Sequence, residues 1–190
     1  TLSLLQEREY GVVCIIAPTF SLASDVNIPD FEEIMSHYNI RYNFLKQPKK
    51  MILNSGDFNG EIWFRSGDRP EKIVGFDATD VIFDEFDIMK PAHQRELWNK
   101  ALARTRGADN STMAIATTPE GFRETYQKFV KEKIGKLIRA KTTDNPFLPA
   151  DYIQSLYDQY DEVLVKQYVN AEFVNINGLQ AYYSFSRSKN

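Results

Sequence analysis

Short apolar runs alternate with helical patterns along most of this chain of 190 residues. The runs are bounded by turn residues, are short enough for strands, and are partly β-branched. They are GVVCIIAPT, EIWFRS, DVIFDE, TMAIATTP and KLIRAKT. Strands that alternate with helices favour a mostly parallel sheet covered by helices on both faces. The sequence therefore predicts an α/β fold.

The segments between these runs repeat apolar residues at helical spacing and carry end signals. Pro91 stands where a first-turn proline is tolerated, Gly107 stands where a helix would stop, and Gly135 is the predicted C-terminal cap of a later helix. The predicted apolar stripes, which we expect to pack in the core, are Phe31, Ile34 and Met35; Leu97, Ala101 and Leu102; and Phe122, Tyr126, Phe129 and Val130. From Pro149 onward the pattern is almost wholly helical, with a break near Asp161. We therefore expect a helical C-terminal segment.

One segment departs from the parallel pattern. In MILNSGDFNGEIWF, the pair Asn59-Gly60 lies between apolar segments. Such a pair is a strong hairpin signal, because both residues tolerate the positive φ that tight hairpin turns require. The sequence predicts an antiparallel excursion here.

The composition argues against several classes of protein. No apolar run approaches the roughly 20 residues of a membrane span, and the first residues lack the basic region and cleavage site of a signal peptide. Cys14 is the single cysteine and lies in an apolar run, so we expect a small buried hydrophobe in a reducing, cytoplasmic setting. A net charge of −3 argues against coating nucleic acid by bulk charge, and two histidines with one cysteine argue against structural zinc.

Acidic residues follow one apolar run at once: VIF is succeeded by Asp84, Glu85 and, two residues later, Asp87. In a parallel sheet, ligands collect at the carboxyl ends of the strands, so these acids would reach the site. Asp84 can hold Mg²⁺ directly or through water, and Glu85 can orient and deprotonate an attacking water. This is the pattern of a Walker B motif. The alternative is a solvated strand end, with Asp77, Asp80 and Asp87 as an acidic surface.

Hydroxyl groups end the next run, TMAIA, at Thr117 and Thr118, before Pro119. Two hydroxyls at the end of a neighbouring strand can hydrogen-bond a γ-phosphate or the attacking water, and the helix predicted after them can move in response. The alternative is an ordinary strand-to-helix turn with a capping threonine.

Five blocks then occur in a specific order. They are GVVCIIAPT, IWFRSGDRPEKIVGFDATDVIFDEFD, ALARTRGADNSTMAIATTPEGFRETYQKF, TTDNPFLPADYIQSL and VNAEFVNINGLQAYYSF. In this order they resemble the ATPase domain of the large terminase subunit of tailed bacteriophages. The resemblance covers nearly the whole chain. Its most specific part is the Asp-Glu strand followed by Thr-Thr-Pro-x-Gly and then Thr-x-Asp-Asn-Pro.

This resemblance implies a RecA-like P-loop NTPase fold that hydrolyses ATP with Mg²⁺ to drive double-stranded DNA into a preformed capsid. It implies that Asp84 is the metal-binding acid, that Glu85 is the catalytic glutamate, and that Thr117 and Thr118 belong to a coupling motif. The implied partners are double-stranded DNA, the capsid portal and the small terminase subunit. The implied assembly is a ring of identical subunits in the host cell cytoplasm.

The phosphate-binding loop of this family does not occur in the sequence, since no G-x-x-x-x-G-K-[ST] is present. The opening TLSLLQ resembles the helix that follows that loop, so Thr1 is expected to stand just after the missing lysine and to contact nucleotide. We therefore expect residues 1–190 to be a single ATPase domain, truncated at its N-terminus and ending before the nuclease domain of the family. Such a fragment is expected to be inactive by itself.

Two alternatives stay open from sequence alone. A degenerate ATPase domain could act as a docking module or DNA clamp without nucleotide, which the missing lysine favours and Glu85 with the two threonines disfavours. A helicase-type translocase ranks third, because it does not explain TTDNPFLP followed by AEF. A transition-state arginine is also unassigned, and its candidates are Arg65, Arg69, Arg104 and Arg106.

Overall fold

The computed structural model describes residues 1–175 and divides the chain into two compact units. The first unit is Thr1–Thr117 and the second begins at Thr118. The sequence has no linker-like composition at this place, which is why it predicts one domain.

A six-stranded sheet forms the first unit. Its strands are β1 (Gly11–Ala17), β2 (Tyr42–Lys46), β3 (Lys49–Ser55), β4 (Phe58–Ser66), β5 (Asp80–Asp84) and β6 (Thr112–Ala116). The spatial order is β2-β3-β4-β1-β5-β6. Strand β1 runs parallel to β4 and β5, and β5 runs parallel to β6, whereas β2, β3 and β4 pair antiparallel. The predicted mostly parallel α/β sheet is confirmed.

Helices connect several of these strands and recur in the described part of the second unit, residues 118–175. They are α1 (Leu2–Gln6), α2 (Phe20–Leu22), α3 (Ile28–His37), α4 (Pro91–Arg104), α5 (Ala150–Gln159) and α6 (Glu162–Leu164), with π-helical segments at Ala23–Asn27, Tyr126–Lys131 and Val165–Val169. No helix within residues 1–175 combines the length and apolar character that crossing a bilayer requires.

Strands β1 and β5, which have parallel neighbours on both sides, contribute buried residues to the core. Six of the seven residues of β1 are buried, because β1 lies between β4 and β5. Cys14 is fully buried as predicted, and burial raises the pKa of its thiol to about 12. Helix α4 buries Leu97 and Ala101 of the predicted stripe, but Leu102 is 55% exposed. The Leu102 prediction is wrong, because the buried stripe continues through Trp98 instead.

The predicted antiparallel excursion is confirmed, but its turn is not where the sequence placed it. The chain reverses between Ser55 and Phe58, at Gly56 with φ of +59°. Gly60 lies within β4, opposite Gly11, with φ of +148°. A Cβ at Gly60 would lie 2.0 Å from the Gly11 carbonyl oxygen, so the glycine permits close approach of two strands.

A buried ion pair joins the amino ends of the strands. The Arg8 guanidinium donates from Nε and Nη2 to the two Asp80 carboxylate oxygens, each at 2.9 Å. The Thr79 hydroxyl and the Thr112 N–H also donate to this carboxylate, at 2.7 and 2.9 Å. Asp80 is fully buried, so its interpretation as part of an acidic surface is wrong, whereas Asp77 is exposed.

The second unit confirms the break in the C-terminal helical segment. Helix α5 ends before Asp161, whose carboxylate accepts hydrogen bonds from the N–H groups of Val163 and Leu164 and so begins the next helix. The predicted strand KLIRAKT is wrong, since residues 137–141 form no strand. The preceding helix ends at Lys131, so Gly135 does not cap it. Residues 176–185 of the last quoted block lie outside the described residues.

Candidate functional site

The carboxyl ends of four parallel strands lie on one edge of the sheet. Strands β1, β4, β5 and β6 end there at Ala17, Ser66, Asp84 and Ala116. A backbone hydrogen bond also joins two of these ends, because the N–H of Gly67, directly after β4, donates to the carbonyl oxygen of Ala17 in β1 at 2.8 Å. This edge is where ligands of open parallel sheets bind.

Asp84 ends β5 with its carboxylate half-buried at this edge. The Asn27 amide donates from Nδ2 to Asp84 Oδ2 at 2.8 Å, and no described residue donates to Oδ1. Asn27 Oδ1 is itself buried without a hydrogen-bond partner in the described part of the chain. Two oxygen acceptors with spare capacity therefore lie close together, and oxygen ligands are those that Mg²⁺ prefers.

Glu85 follows in a left-handed backbone conformation, with φ of 46° and ψ of 48°. This conformation costs a residue with a Cβ roughly 1–2 kcal/mol, and such outliers cluster at functional sites. It persists because both flanks are fixed. The Glu85 N–H donates to the Ala116 carbonyl at 2.7 Å, and the buried Phe86 ring packs on Phe83 at 4.7 Å between centroids.

Gln94 fixes the turn that follows Glu85. Its side chain is almost fully buried on α4, and its Nε2 lies 3.1 Å from each of three carbonyl oxygens, those of Phe86, Asp87 and Met89. A buried amide whose N–H donors meet the carbonyl oxygens of one turn holds that segment in one conformation. The backbone that carries Glu85 is therefore rigid on its C-terminal side.

Thr117 reaches the same turn from the neighbouring strand. Its hydroxyl oxygen accepts a hydrogen bond from the Asp87 N–H at 3.0 Å. Asp87 is fully buried, so its interpretation as an exposed surface acid is wrong. The structure thus brings together Asp84, Glu85 and Thr117 within the first unit. Thr118 is the first residue of the second unit.

Thr1 lies toward the other edge of the sheet. Helix α1 packs beside the start of β1, since a Cβ on Gly11 would lie 3.6 Å from Leu5 Cα. At 1.5 Å per helical residue, Thr1 is only about 6 Å along the axis from Leu5, whereas β1 extends roughly 20 Å from Gly11 to Ala17. The Thr1 amino group is also within electrostatic range of Asp80, which begins β5. The structure does not bring Thr1 to Asp84.

Sequence reasoning missed Asn27 and Gln94. Nothing in the local pattern distinguishes Asn27 from an ordinary residue before a helix, because its contact with Asp84 spans 57 positions. Gln94 did leave a signal: it shares a helix face with Leu97, Trp98 and Ala101, all buried. A polar residue on a buried stripe predicts a hydrogen-bonding role.

The sequence of this chain matches a known protein family. Residues 8–190 match the family described as terminase large subunit, T4likevirus-type, N-terminal. The chain belongs to this family. No curated protein sequence matches it.

Solved terminase structures share the fold. The large terminase from a thermophilic bacteriophage is 17% identical, with a TM-score of 0.73 over 90% of this chain and 42% of that chain. The same thermophilic-phage terminase has also been solved in complex with ADP and with ATP-gamma-S. The Thermus phage P74-26 large terminase ATPase domain is 16% identical, with a TM-score of 0.57 over 86% of this chain and 77% of that domain. The predicted terminase fold, RecA-like, is confirmed, and this chain spans less than half of the thermophilic-phage terminase.

Proposed function

We propose that this part of a large terminase binds ATP with Mg²⁺ and hydrolyses it to drive double-stranded DNA into a capsid. One observation carries the proposal: Glu85 is held in a left-handed conformation directly after Asp84, at the carboxyl edge of a parallel sheet. The family and the fold support it, since the thermophilic-phage terminase, with the same fold, binds ADP and ATP-gamma-S. DNA, the portal, the small subunit and a subunit ring belong to the same proposal.

In this proposal Asp84 is the metal ligand. The described residues contain no cluster of three or more His, Cys, Asp or Glu side chains, so protein ligands would be few. That fits Mg²⁺, which keeps several waters and uses one or two carboxylates beside substrate phosphates. Asn27 would orient the Asp84 carboxylate through its 2.8 Å hydrogen bond. When bound, the ion would neutralise developing charge on the phosphate oxygens.

Glu85 would act on the attacking water. A general base has to be positioned before its pKa matters, and the fixed left-handed backbone sets the direction in which the Glu85 side chain leaves the strand end. The proton would pass from the water to the Glu85 carboxylate as the water oxygen bonds to the γ-phosphorus, and the bond from that phosphorus to the bridging oxygen would break, so that ADP leaves with the electron pair. Gln94 would keep this geometry by holding the next turn.

Thr117 and Thr118 would couple hydrolysis to movement. Thr117 contacts the turn after Glu85 and is the last residue of the first unit, while Thr118 begins the second. A conformational change in the turn after Glu85 would therefore reach Thr117, the residue that directly precedes Thr118 in the chain. Thr117→Ala or Thr118→Ala should reduce DNA translocation more than ATP binding. Full packaging by both single variants would remove this role.

The catalytic test uses a chain in which a strand and a G-x-x-x-x-G-K-[ST] loop precede α1. Glu85→Gln should keep nucleotide binding but lower ATP turnover at least ~100-fold, the usual scale for a lost general base. Glu71→Gln is the matched control, because Glu71 is exposed on a short turn of the same unit. Near-normal turnover in Glu85→Gln would reject the assignment.

The binding test separates Asp84 from Glu85. Asp84→Ala should weaken Mg-ATP binding as well as turnover, and unchanged affinity with Mg²⁺ present would contradict it. The 190-residue chain without the loop should show no saturable ATPase activity and an affinity no tighter than about millimolar, roughly −4 kcal/mol. Micromolar binding by that chain would place the nucleotide elsewhere. A chain that binds DNA equally well with and without nucleotide would instead support the clamp alternative.

A further inference from the structure

A cavity of about 400 Å³ lies beyond the end of β4, within the first unit. It is lined by Phe20, Arg65, Ser66, Asp68, Arg69, Lys72 and Ile73. Its wall is continuous with the sheet, because β4 ends at Ser66 and the next residue is bonded to β1. The proposed catalytic residues do not line it.

Three cationic side chains of this cavity have no acidic partner. Arg65, Arg69 and Lys72 form no salt bridge and no side-chain hydrogen bond with any residue of 1–175. The one acid in the lining, Asp68, accepts the Ser66 hydroxyl at 2.6 Å. The lining therefore carries a net positive charge with unused N–H donors.

Arg65 is half-buried and its guanidinium is held against aromatic rings. Its guanidinium carbon lies 4.5 Å from the centroid of the Trp63 ring and 5.3 Å from that of Phe76, and these two rings stack on each other. Burial lowers the pKa of the Arg65 guanidinium, because no carboxylate compensates the lost hydration. On the same face of β4 the opposite arrangement occurs: Lys50 is paired with Glu61 at 2.8 Å. Lys50 thus has an acidic partner on this face, whereas Arg65 has none within residues 1–175.

We propose that this cavity is a phosphate-binding site, in which Arg65, Arg69 and Lys72 donate to one phosphate group. A planar guanidinium stacked on aromatic rings presents paired N–H donors in a fixed plane, which matches two phosphate oxygens. Lys72 adds a mobile point charge from the rim, where it is exposed together with Arg69. The phosphate can belong to a free polyphosphate or to a nucleic-acid backbone, and the two sources are separated by experiment.

The first arm measures pyrophosphate binding to the full 190-residue chain by calorimetry, without Mg²⁺ and at low salt. The double variant Arg69→Gln/Lys72→Gln should weaken binding at least about tenfold, since charge-assisted hydrogen bonds are lost. The matched control is Arg41→Gln/Lys46→Gln, which removes the same charge from exposed positions of the same unit outside the cavity. The control should change affinity less than about twofold.

Arg65 is tested by Arg65→Lys, which keeps the charge but loses the planar fork. Pyrophosphate affinity should fall several-fold in this variant. Its unfolding transition, monitored by tryptophan fluorescence, should stay cooperative. The measurement is independent of the proposed hydrolysis site, because Asp84→Ala should leave pyrophosphate affinity in Mg²⁺-free buffer unchanged. Failure of the hydrolysis proposal would therefore not affect this result.

The second arm identifies the source of the phosphate. For a duplex of about 20 base pairs, each neutralised backbone phosphate contributes about 0.9 to the slope of log affinity against log salt. A slope reduced by more than about 1 in Arg69→Gln/Lys72→Gln would assign the cavity to DNA. An unchanged slope together with weakened pyrophosphate binding would assign it to a free polyphosphate. The proposal is overturned if the cavity variant and the control behave alike with both ligands.

Discussion

Replacing Asp80 by asparagine should destabilise the first unit strongly. The change removes one charge but almost no volume, so it tests the ion pair rather than packing. Asp80 is fully buried, and its Arg8 partner has a side chain only 17% exposed. The asparagine amide would also direct N–H donors at groups that themselves donate, the Arg8 guanidinium and the Thr112 N–H.

The expected size follows from the geometry. Breaking a buried pair by removing one partner costs about 3–5 kcal/mol, a large share of the roughly 5–15 kcal/mol that stabilises an ordinary domain. With an m-value near about 2 kcal/mol/M in urea, the unfolding midpoint should fall by roughly 1.5–2.5 M. Trp63 and Trp98 are the only tryptophans and both lie in the first unit, so their fluorescence reports on that unit alone.

A matched control and a double-mutant cycle make this test decisive. Asp77→Asn, at an exposed position three residues earlier, should change the free energy of unfolding by less than about 0.5 kcal/mol. Arg8→Gln combined with Asp80→Asn should cost clearly less than the sum of the single changes, since the second loss removes a charge already unpaired. A cost below about 1 kcal/mol for Asp80→Asn, or strict additivity, would refute the reasoning.

Three further predictions concern single residues. Burial raises the pKa of Glu61, but hydrogen bonds from Lys50 and Trp63 outweigh this effect, so the net pKa is lowered. The stability that Glu61 contributes is therefore present above its unfolded pKa of about 4.3 and is lost as pH falls through the folded value. The difference in unfolding free energy between the wild type and Glu61→Gln should narrow below about pH 4 in acid denaturation series. Gly60→Ala should cost more than about 2 kcal/mol in urea unfolding, because its Cβ would clash with the Gly11 carbonyl, while Gly107→Ala, which meets nothing within 4 Å, should not. The Cys14 thiol, with a pKa raised to about 12, should react with a disulfide reagent at about pH 8 only after denaturant is added; rapid native labelling would contradict its burial.

The sequence by itself determined the features that depend on neighbouring residues. Apolar runs of strand length predicted β1, β4, β5 and β6, and the C-terminal pattern predicted the break near Asp161 that separates α5 from α6. Such patterns are readable because a strand or a helix has a fixed period, and because caps act within three or four residues. The placement of Asp84 and Glu85 at a strand end belongs to this class.

Tertiary structure alone decided which residues meet. From sequence, Asp80 entered only as part of an alternative acidic surface, because its partner Arg8 is 72 positions away and no local pattern records such a pair. The hairpin turn lies at Gly56, whereas Gly60 lies within β4, where that strand approaches Gly11 closely. Thr1 lies away from Asp84, because α1 is short and packs beside the start of β1, at the opposite end of that strand from Asp84. The strained backbone of Glu85 likewise exists only because hydrogen bonds from other elements hold it, and these form only once the sheet and α4 are packed together.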